Sequence, residues 1–233
     1  MAQNKTPRWT KKSSRILEHA SDLDNYNRWL ISNFKSFLKG RILEVGAGLG
    51  GLARHLPQQD LVLSDLRTDY LNYLKKEFRT KTLQMDIEKE VPKKLNNKFD
   101  TILSSNVFEH INNDQTAIGN CFKLLKKGGH LLLYVPARPE IFGQLDRDMG
   151  HFRRYTKKEL EQKARKAGFK IIKVRYANLP GYFTWWARGV IKTSGADSIL
   201  AKIFDHLITP LLYLEMFYNP PFGQSLILIA RKS

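Results

Sequence analysis

The chain has a single cysteine, Cys121, among its 233 residues, so no disulfide can form within it. It contains no apolar run of the ~18 residues that a membrane-spanning helix needs, and its basic first residues lack the apolar stretch of a secretory signal. These absences favour a cytoplasmic protein, with membrane association left open, built as one large domain around an ordinary core. Cys121 is predicted to be a buried, inert thiol on the apolar face of a helix.

Acidic residues are few relative to basic ones, and the formal net charge is +17. Residues 1–15 carry a net charge of +5 and residues 147–175 a net charge of +8, which together make thirteen of the seventeen. Such a surplus suits an anionic partner, which is a phosphate-bearing substrate, nucleic acid or a membrane surface, although solvated faces give the same count. Residues 1–20 are predicted to form a basic flexible arm.

A glycine-rich stretch organises the rest of the chain. The apolar run 42–45 is followed by Gly46, Gly48 and Gly50, and then by apolar residues at helical spacing, Leu52, Ala53 and Leu56. This pattern predicts a strand, a tight glycine turn and the start of a helix. Glycine allows unusual φ angles and lets a ligand lie against bare backbone, so a nucleotide-like ligand is expected here.

The acid Glu44 helps to choose the ligand. Gly46, Gly48 and Gly51 also fit the dinucleotide pattern G-x-G-x-x-G, so the glycines alone do not name the cofactor. A carboxylate two residues before the first glycine would repel a pyrophosphate, whereas it suits the positive charges of S-adenosylmethionine. The alternative is an acid that only accepts backbone amides.

Further strands are predicted at 61–65, 82–87, 99–106, 130–135, 169–176 and 225–230. A helical pattern follows each strand from 42–45 to 130–135. This alternation predicts a sheet of parallel strands with right-handed crossovers. Two strands end in acids, Asp65 and Asp86. Asp65 lies at the spacing at which a carboxylate accepts both ribose hydroxyls, and Asp86 between Met85 and Ile87 suits an adenine ring. A helix with Ser21 or Asp22 as its cap precedes the first strand and is placed to cover the ligand. A turn is predicted at 128–129.

The sequence then resembles a known family. The string Glu44-Val-Gly-Ala-Gly-x-Gly50, with Asp65, Asp86, Asn106-Val-Phe-Glu-His110 and Gly128-Gly129, resembles the class I S-adenosylmethionine-dependent methyltransferases. The resemblance implies an α/β, Rossmann-like, seven-stranded, mostly parallel sheet with an antiparallel last strand and helices on both faces, with a core over residues 21–178 and 223–233. It also implies the following cofactor-binding residues: Glu44, Gly46, Ala47, Gly48 and Gly50 at the methionine moiety, Asp65 and Leu66 at the ribose, Met85, Asp86 and Ile87 at the adenine, and Asn106, Val107 and Phe108 beside the transferred methyl.

The pair Glu109-His110 is similar to a metal-binding string of some ubiquinone-pathway methyltransferases, which use two acids and a histidine. The earlier acid of that string is Asn106 here, which leaves one carboxylate and one imidazole. Two ligands make a poor metal site, so no metal is expected.

Residues 137–155 are predicted to form a long loop at the ligand-binding edge, and long ordered loops tend to carry function. Its end, Gly150-His-x-Arg-Arg-Tyr-Thr156, resembles a subgroup of small-molecule methyltransferases that modify sugars, lipids or secondary metabolites. His151 is predicted to be the general base, Arg153 or Arg154 to hold a negative group, and Tyr155 to add a hydroxyl. Alternatively, these residues only pin the loop to the sheet.

Residues 179–222 form an insertion before the last strand that holds nine of the 26 aromatic residues, including Trp185 and Trp186. So many aromatic side chains are not expected to remain bare in water. Short helices are predicted, broken near Gly195, Pro210 and Pro220. They are expected to line an acceptor pocket, to pair with a second copy, or to lie on a membrane with Arg188, Lys192 and Lys202 above the tryptophans. The alternative is plain packing against the sheet.

The sequence thus predicts an S-adenosylmethionine-dependent methyltransferase that acts on oxygen or nitrogen of a small, partly apolar acceptor, either neutral or anionic. A nucleic-acid methyltransferase is the rival prediction, which the charge favours. The end of the fourth strand has no Asn-Pro-Pro-Tyr-like string to grip a flipped base, so nucleic acid is the less favoured partner. A cofactor-binding module without catalytic activity is the third.

Overall fold

In a computed structural model of the protein, residues 22–191 and 202–233 are described, with only the backbone for residues 186–191. The predicted basic arm, residues 1–20, lies outside the described residues. So do Lys192, Gly195 and the side chains of Trp186 and Arg188.

The described chain forms a seven-stranded sheet with the strand order β3-β2-β1-β4-β5-β7-β6. The strands are β1 (Ile42–Val45), β2 (Leu61–Asp65), β3 (Lys81–Gln84), β4 (Phe99–Ser105), β5 (Leu125–Pro136), β6 (Phe169–Ala177) and β7 (Ser225–Lys232). Strands β1 to β5 pair in parallel, and β7 lies antiparallel between β5 and β6. This architecture confirms the predicted fold class.

Helices cover the sheet mostly where the sequence predicted them, except after β1 and β3, where only 3-10 turns form, and within the predicted loop 137–155, which contains a short helix. They are α1 (Asp24–Ser32), α2 (Thr68–Phe78), α3 (Asp114–Leu124), α4 (Gln144–Asp148), α5 (Lys157–Lys166), α6 (Leu179–Ile191) and α7 (Thr209–Leu212). A π-helical segment, Phe204–Ile208, precedes α7, and 3-10 turns lie at Lys35–Phe37, Ala53–His55, Lys93–Leu95, Phe108–His110, Pro139–Ile141 and Tyr213–Met216. At α5 the Thr156 side chain accepts a hydrogen bond from Glu159 N, as the predicted cap.

The helix predicted after the glycine turn is missing, because only the single 3-10 turn Ala53–His55 forms there. Pro57 forces the preceding residue out of helical conformation, and Leu56 is extended with ψ of 151°. The chain must also reach the start of β2 at Leu61, so there is no room for a longer helix.

The second difference is at Gly128 and Gly129, which lie inside β5 and not in a turn before it. The helix α3 ends at Leu124, and the next residue, Leu125, already pairs with Phe99 of β4. A Cβ at Gly129 would stand 3.0 Å from the carbonyl oxygen of Asp100. Glycine is therefore needed because the two backbones approach closely at an irregularity of the ladder.

The core lies on both faces of the sheet, because successive residues of a strand point to opposite sides. Leu43 and Leu131 pack in one cluster, and their neighbours Ile42 and Leu132 pack in the other. Cys121 lies fully buried in the first cluster, and burial raises the pKa of its thiol to about 12. An inert, buried cysteine is therefore confirmed.

The helix α1 begins at Asp24, and its N-cap residue, Leu23, makes no side-chain capping hydrogen bond. Of the two predicted caps, Ser21 lies outside the described residues. The side chain of Asp205, from the insertion, accepts hydrogen bonds from Asn25 N at 3.3 Å and Tyr26 N at 2.8 Å. The insertion therefore supplies the acceptors for the first turn of α1.

The insertion also holds α1 against the sheet. Trp29 Nε1 donates to Leu212 O at 2.9 Å, and the carboxylate of Glu215 accepts from the backbone amides of Asn178 and Leu179. Residues 202–216 thus join α1 to the end of β6, which positions α1 over the carboxyl edge of the sheet.

The outer side of the same segment is apolar and exposed. Leu207, Leu211, Leu214 and Phe217 are 55–89% exposed, and their spacing places them along one helical side. No helix of the described residues is long and apolar enough to span a bilayer. Contact of this side with lipid or with a second copy stays a prediction.

Candidate active site

A cavity of about 540 Å³ opens at the carboxyl ends of β1, β2 and β4, where open α/β sheets bind their ligands. One end of the cavity is formed by the glycine turn and the acidic strand ends. The other end is formed by the loop between β5 and α5, and Trp185 of α6 lies beside it. The cavity is therefore continuous from the predicted cofactor site to the predicted acceptor site.

The glycine turn contributes Gly46, Ala47 and Gly48 to the cavity wall. Gly46 has φ of +74°, and a Cβ there would stand 2.4 Å from Cγ2 of Val107. Gly48 has φ of +54°, and a Cβ there would meet no protein atom within 4 Å, so its open side faces space that a ligand can use. Gly50 does not line the cavity. A Cβ at Gly50 would stand 2.4 Å from the ring of Phe78, so this glycine is needed for packing and not for ligand contact.

Glu44 is the most unusual acid of the cofactor end, because its side chain is almost fully buried at the end of β1. Its Oε2 atom has no hydrogen-bond partner among the described residues. Burial, together with the nearby charge of Asp65, raises the pKa of the Glu44 carboxyl to about 8. The site therefore offers a poorly solvated carboxylate to a cation.

The acids at the next two strand ends also line the cavity. Asp65 Oδ2 accepts from Gly48 N at 2.9 Å, and its Oδ1 accepts from Arg67 N at 2.9 Å, so Asp65 organises the glycine turn as well. Asp86 Oδ1 accepts from Glu88 N at 3.0 Å. The apolar neighbours Leu66, Met85 and Ile87 complete this wall.

The residues after β4 divide between the cavity and the core. Asn106, with φ of +51°, and Val107 line the cavity. Phe108 does not. Its side chain is 1% exposed and belongs to the core cluster, because the 3-10 turn Phe108–His110 directs it under the sheet. The prediction that Phe108 borders the transferred methyl is therefore wrong as a direct contact.

The turn Phe108–His110 instead presents Glu109 and His110 to the cavity. From the sequence alone, only Glu109 and His110 were available as metal ligands. The structure adds His151 from the distant loop, and one ligating atom from each of the three residues lies within 4.8 Å of the others. Neither carboxylate oxygen of Glu109, which is fully buried, has a hydrogen-bond partner among the described residues. Burial raises the pKa of Glu109 to about 7, although His151 and Arg154 oppose the shift.

At the acceptor end, His151, Asp146 and Arg154 form a buried network. Asp146 Oδ1 lies 2.9 Å from His151 Nδ1 and accepts from Arg154 Nε at 2.8 Å, while its Oδ2 accepts from Gly143 N. Although burial acts in the opposite direction, the hydrogen bond from His151 and the charge of Arg154 lower the pKa of Asp146. An ionised Asp146 fixes the His151 proton on Nδ1, so Nε2 keeps its lone pair.

Arg154 also lines the cavity. Its Nη1 donates to Ala137 O, its guanidinium stacks 4.5 Å from the ring of Trp185, and its Nη2 has no hydrogen-bond partner among the described residues. Arg153, by contrast, pairs with Asp114 at 2.9 Å and does not line the cavity. Of the two predicted anion clamps, the structure leaves Arg154 available.

Tyr155 is not in the site. Its side chain is fully buried, and its hydroxyl donates to Asp114 Oδ2 at 2.8 Å and lies 3.0 Å from Phe108 O. The Tyr155 backbone pairs with β5 through Ala137, which turns its side chain toward α3 and away from the cavity. The catalytic role predicted for Tyr155 is therefore replaced by a structural one: it ties the loop to α3.

Several residues that line the cavity were not predicted to do so. Tyr26 borders the cavity, and its hydroxyl lies 2.5 Å from the hydroxyl of Tyr134. Tyr134, Met149 and Gln224 also line it. These residues come from α1, β5, the loop and the approach to β7, and no local motif marks them, because they meet only through the topology of the sheet.

The residues present fit a cofactor that combines an adenosine with a positive charge. The buried Oε2 of Glu44 lacks a partner, the open side of Gly48 leaves room for close approach, and carboxylates stand at the ends of β2 and β3. A pyrophosphate fits this site less well, because it needs hydrogen-bond donors at the glycine turn and the carboxylate of Glu44 lies there.

Comparison with known proteins agrees with this reading. A family model described as "Methyltransferase domain" matches residues 16–174. 5-Methylorsellinic acid synthase of Aspergillus terreus is 33% identical over 114 residues, which are 44% of this chain and 4% of that protein. Ribosomal RNA small subunit methyltransferase C of Hamiltonella defensa is 29% identical over 147 residues, 57% of this chain and 43% of that one. The chain thus spans less than half the length of both curated relatives.

Among solved structures, phosphoethanolamine N-methyltransferase 2 of Haemonchus contortus in complex with S-adenosyl-L-methionine superposes with a TM-score of 0.57. The identity is 19%, over 87% of this chain and 52% of that one, so the likeness concerns the fold.

The sheet order, the glycine turn and the acidic strand ends define a class I S-adenosylmethionine-dependent methyltransferase. The chain belongs to the methyltransferase-domain family whose model covers its first two thirds. S-adenosylmethionine is its cofactor, as the charge of Glu44 predicted.

Replacing Gly48 by alanine is expected to weaken S-adenosylmethionine binding about 10-fold or more. The new methyl group would project into open space of the cofactor site, and the left-handed φ adds a destabilisation of about 1 kcal/mol. Calorimetric titration and urea unfolding measure the two effects. Gly119→Ala is the matched control, since Gly119 lies in α3 with nothing within 4 Å of its Cβ position and normal φ. The Gly119→Ala variant should be slightly more stable than the wild type and should bind S-adenosylmethionine with the same affinity. Equal cofactor affinity of both variants would remove Gly48 from the cofactor site.

Proposed function

We propose that the protein methylates an oxygen or nitrogen of a small, partly apolar acceptor that carries a negative group. The observation that supports this proposal most is the single cavity that joins the glycine turn to the Asp146–His151–Arg154 network. Its size is that of a typical site for a small ligand. The walls at the acceptor end combine the apolar surface of Met149 and Trp185 with the free Nη2 of Arg154.

The bound cofactor supplies a methyl group on an activated, positively charged sulfur. The work left to the protein is alignment of the acceptor with that methyl, exclusion of water and removal of one proton. In the proposed mechanism His151 Nε2 accepts the proton from an acceptor hydroxyl or ammonium, and Asp146 holds the ring and stabilises the resulting imidazolium. Arg154 Nη2 donates to the acceptor's negative group. Glu109 and His110 line the same end and shape the pocket.

A nucleic-acid acceptor is the second candidate. The net charge of +17 and the similarity to a ribosomal RNA methyltransferase favour it. Of the two loop arginines, however, Arg153 pairs with Asp114 outside the cavity, and Arg154 keeps one guanidinium nitrogen, Nη2, without a hydrogen-bond partner among the described residues. One such donor suits a single small negative group and not a run of phosphates. A small acceptor therefore fits the described site better.

The test is transfer of a labelled methyl group. The purified protein is incubated with methyl-labelled S-adenosylmethionine and, separately, with a metabolite extract, a lipid extract and total RNA from cells. Label in a small molecule or lipid is the expected result, and mass spectrometry then identifies the methylated atom. Label confined to RNA would overturn the proposal in favour of the second candidate. Cofactor binding without label in any fraction would favour a binding module without catalytic activity.

A further inference from the structure

One cluster of side chains is not explained by methyl transfer alone. Glu109 and His110 lie next to each other in the chain, and His151 reaches the same point from the loop 41 residues further on. Their ligating atoms gather within 4.8 Å, and His151 Nε2 lies 3.9 Å from Glu109 Oε1. Around a tetrahedral zinc ion with bonds of about 2.1 Å, ligand atoms stand about 3.4 Å apart. Small side-chain rotations would therefore close this cluster around one ion.

The cluster is built as a site and not as a surface coincidence. The Glu109 side chain is fully buried, and neither of its oxygens has a hydrogen-bond partner among the described residues. The Nε2 atom of His151, also buried, has none either. Burying polar groups without partners is costly, so both groups point to a ligand that supplies positive charge.

The second sphere also has the expected form. His151 Nδ1 lies 2.9 Å from the carboxylate of Asp146, which directs the Nε2 lone pair into the cluster. Histidines that bind metal usually donate their other ring N–H to a carboxylate in this way. In the protein, Asp146 is fully buried and held further by Gly143 N. The imidazole is thus oriented before any ligand arrives.

The balance of buried charge favours a cation. Asp146 pairs with Arg154 at 2.8 Å, so these two charges offset each other. The carboxyl of Glu109 lies buried beside the imidazole rings of His110 and His151, and none of the described cationic side chains makes a hydrogen bond to it. Neutral imidazoles are the form that coordinates a metal.

We propose that Glu109, His110 and His151 bind one divalent transition-metal ion, of which Zn²⁺ is the first candidate. Two imidazole nitrogens and one carboxylate suit zinc and its neighbours, whereas Mg²⁺ and Ca²⁺ prefer oxygen ligands. Three protein ligands leave at least one coordination position toward the cavity. This ligand set differs from the string of two acids and one histidine described above. Its third ligand is a histidine, His151, and it comes from the loop between β5 and α5.

Metal binding and the proposed base use the same lone pair of His151. A bound ion therefore prevents His151 from accepting a proton, and excess Zn²⁺ is expected to inhibit methyl transfer. This consequence rests on the proposed function, whereas the metal site itself does not.

The test measures metal directly, without turnover. The full-length protein is stripped with a chelator, dialysed against Zn²⁺ and analysed by elemental mass spectrometry. Co²⁺ absorption reports the ligand geometry. The wild type should retain one ion per chain. Glu109→Gln and His151→Ala should weaken binding more than about 100-fold, beyond the loss typical of an outer-sphere partner. His206→Ala is the matched control, because His206 is exposed and outside the cavity, and it should bind like the wild type.

Cofactor titration shows that each variant is folded. Absence of zinc in the stripped and reloaded wild type, or equal binding by Glu109→Gln and the wild type, would overturn the metal site. A separate turnover assay tests the shared lone pair. If Zn²⁺ inhibits methyl transfer and a chelator restores the rate, this result supports the use of one His151 lone pair for both roles. Loss of turnover on chelation, with one ion bound beforehand, would instead overturn His151 as the base while the metal site stands.

Discussion

Replacing His151 by alanine is expected to lower the rate of methyl transfer by about 10²–10⁴-fold, the usual contribution of a general base. Affinity for S-adenosylmethionine should stay unchanged, because His151 lies at the opposite end of the cavity from Glu44 and the glycine turn. The physical reason is that Nε2 is the group that removes the acceptor's proton, and its lone pair is fixed by the contact of Nδ1 with Asp146.

The measurement is the rate of label incorporation into the acceptor that the labelling experiment identifies, with cofactor affinity from calorimetry. Imidazole added to His151→Ala should restore part of the rate, because a small base can enter the space that the ring leaves. A merely structural histidine would not give this rescue. His206→Ala is again the control and should keep full activity. Unchanged turnover in His151→Ala would remove this residue from the mechanism.

Asp146 is a poorer probe of the same mechanism. Its carboxylate holds His151, Arg154 and the backbone amide of Gly143 together. Replacing it would disturb the base, the anion clamp and the start of α4 at once. A loss of activity in an Asp146 variant would therefore not separate catalysis from positioning.

The sheet was predictable because its strands are short apolar runs that end in glycine or acid. The prediction for β2, Leu61–Asp65, matches the structure exactly at both ends. The helix after β1 failed because the apolar spacing at Leu52, Ala53 and Leu56 outweighed the signal of Pro57. The acceptor that the structure shows at the start of α1 could not be predicted, because Asp205 comes from 180 residues further along the chain than Asn25.

The cofactor end of the site was predictable for the same reason as the sheet, since strand ends of a parallel sheet share one edge. The acceptor end depends on side-chain direction, which sequence order does not reveal. His151, Arg154 and Tyr155 are near neighbours in sequence, yet the first two enter the cavity and the third turns toward α3. The joining of His151 to Glu109 likewise depends on the loop, whose Phe152 N donates to Glu109 O at 2.8 Å.

Glu44→Gln is expected to have two opposite effects. It should weaken S-adenosylmethionine binding by about 10–100-fold, since a contact to a charged partner contributes roughly 1.5–3 kcal/mol. It should also stabilise the cofactor-free protein near neutral pH, because glutamine removes a carboxyl that is costly to ionise where it is buried. Function and stability therefore conflict at this residue.

The sign follows from the pKa values. Burial and the charge of Asp65 raise the pKa of Glu44 to about 8 in the folded protein, whereas an unfolded glutamate titrates near 4.3. Between these values the folded chain binds a proton that the unfolded chain has lost. The stability linked to this group is complete below the unfolded pKa and decreases as pH rises toward 8, by about 3–4 kcal/mol at pH 7.

Urea unfolding of the cofactor-free protein between pH 5 and pH 8 measures this linkage. The stability of the wild type should fall more steeply with pH than that of Glu44→Gln, while the exposed acid Glu77, changed to glutamine, is a control that should leave the slope unaltered. Cofactor affinity supplies the independent check. Because a positively charged ligand selects the ionised carboxylate, wild-type affinity should increase from pH 6 to pH 8 and that of Glu44→Gln should not. Parallel pH profiles of the wild type and Glu44→Gln in both measurements would show that Glu44 does not face the cofactor's charge.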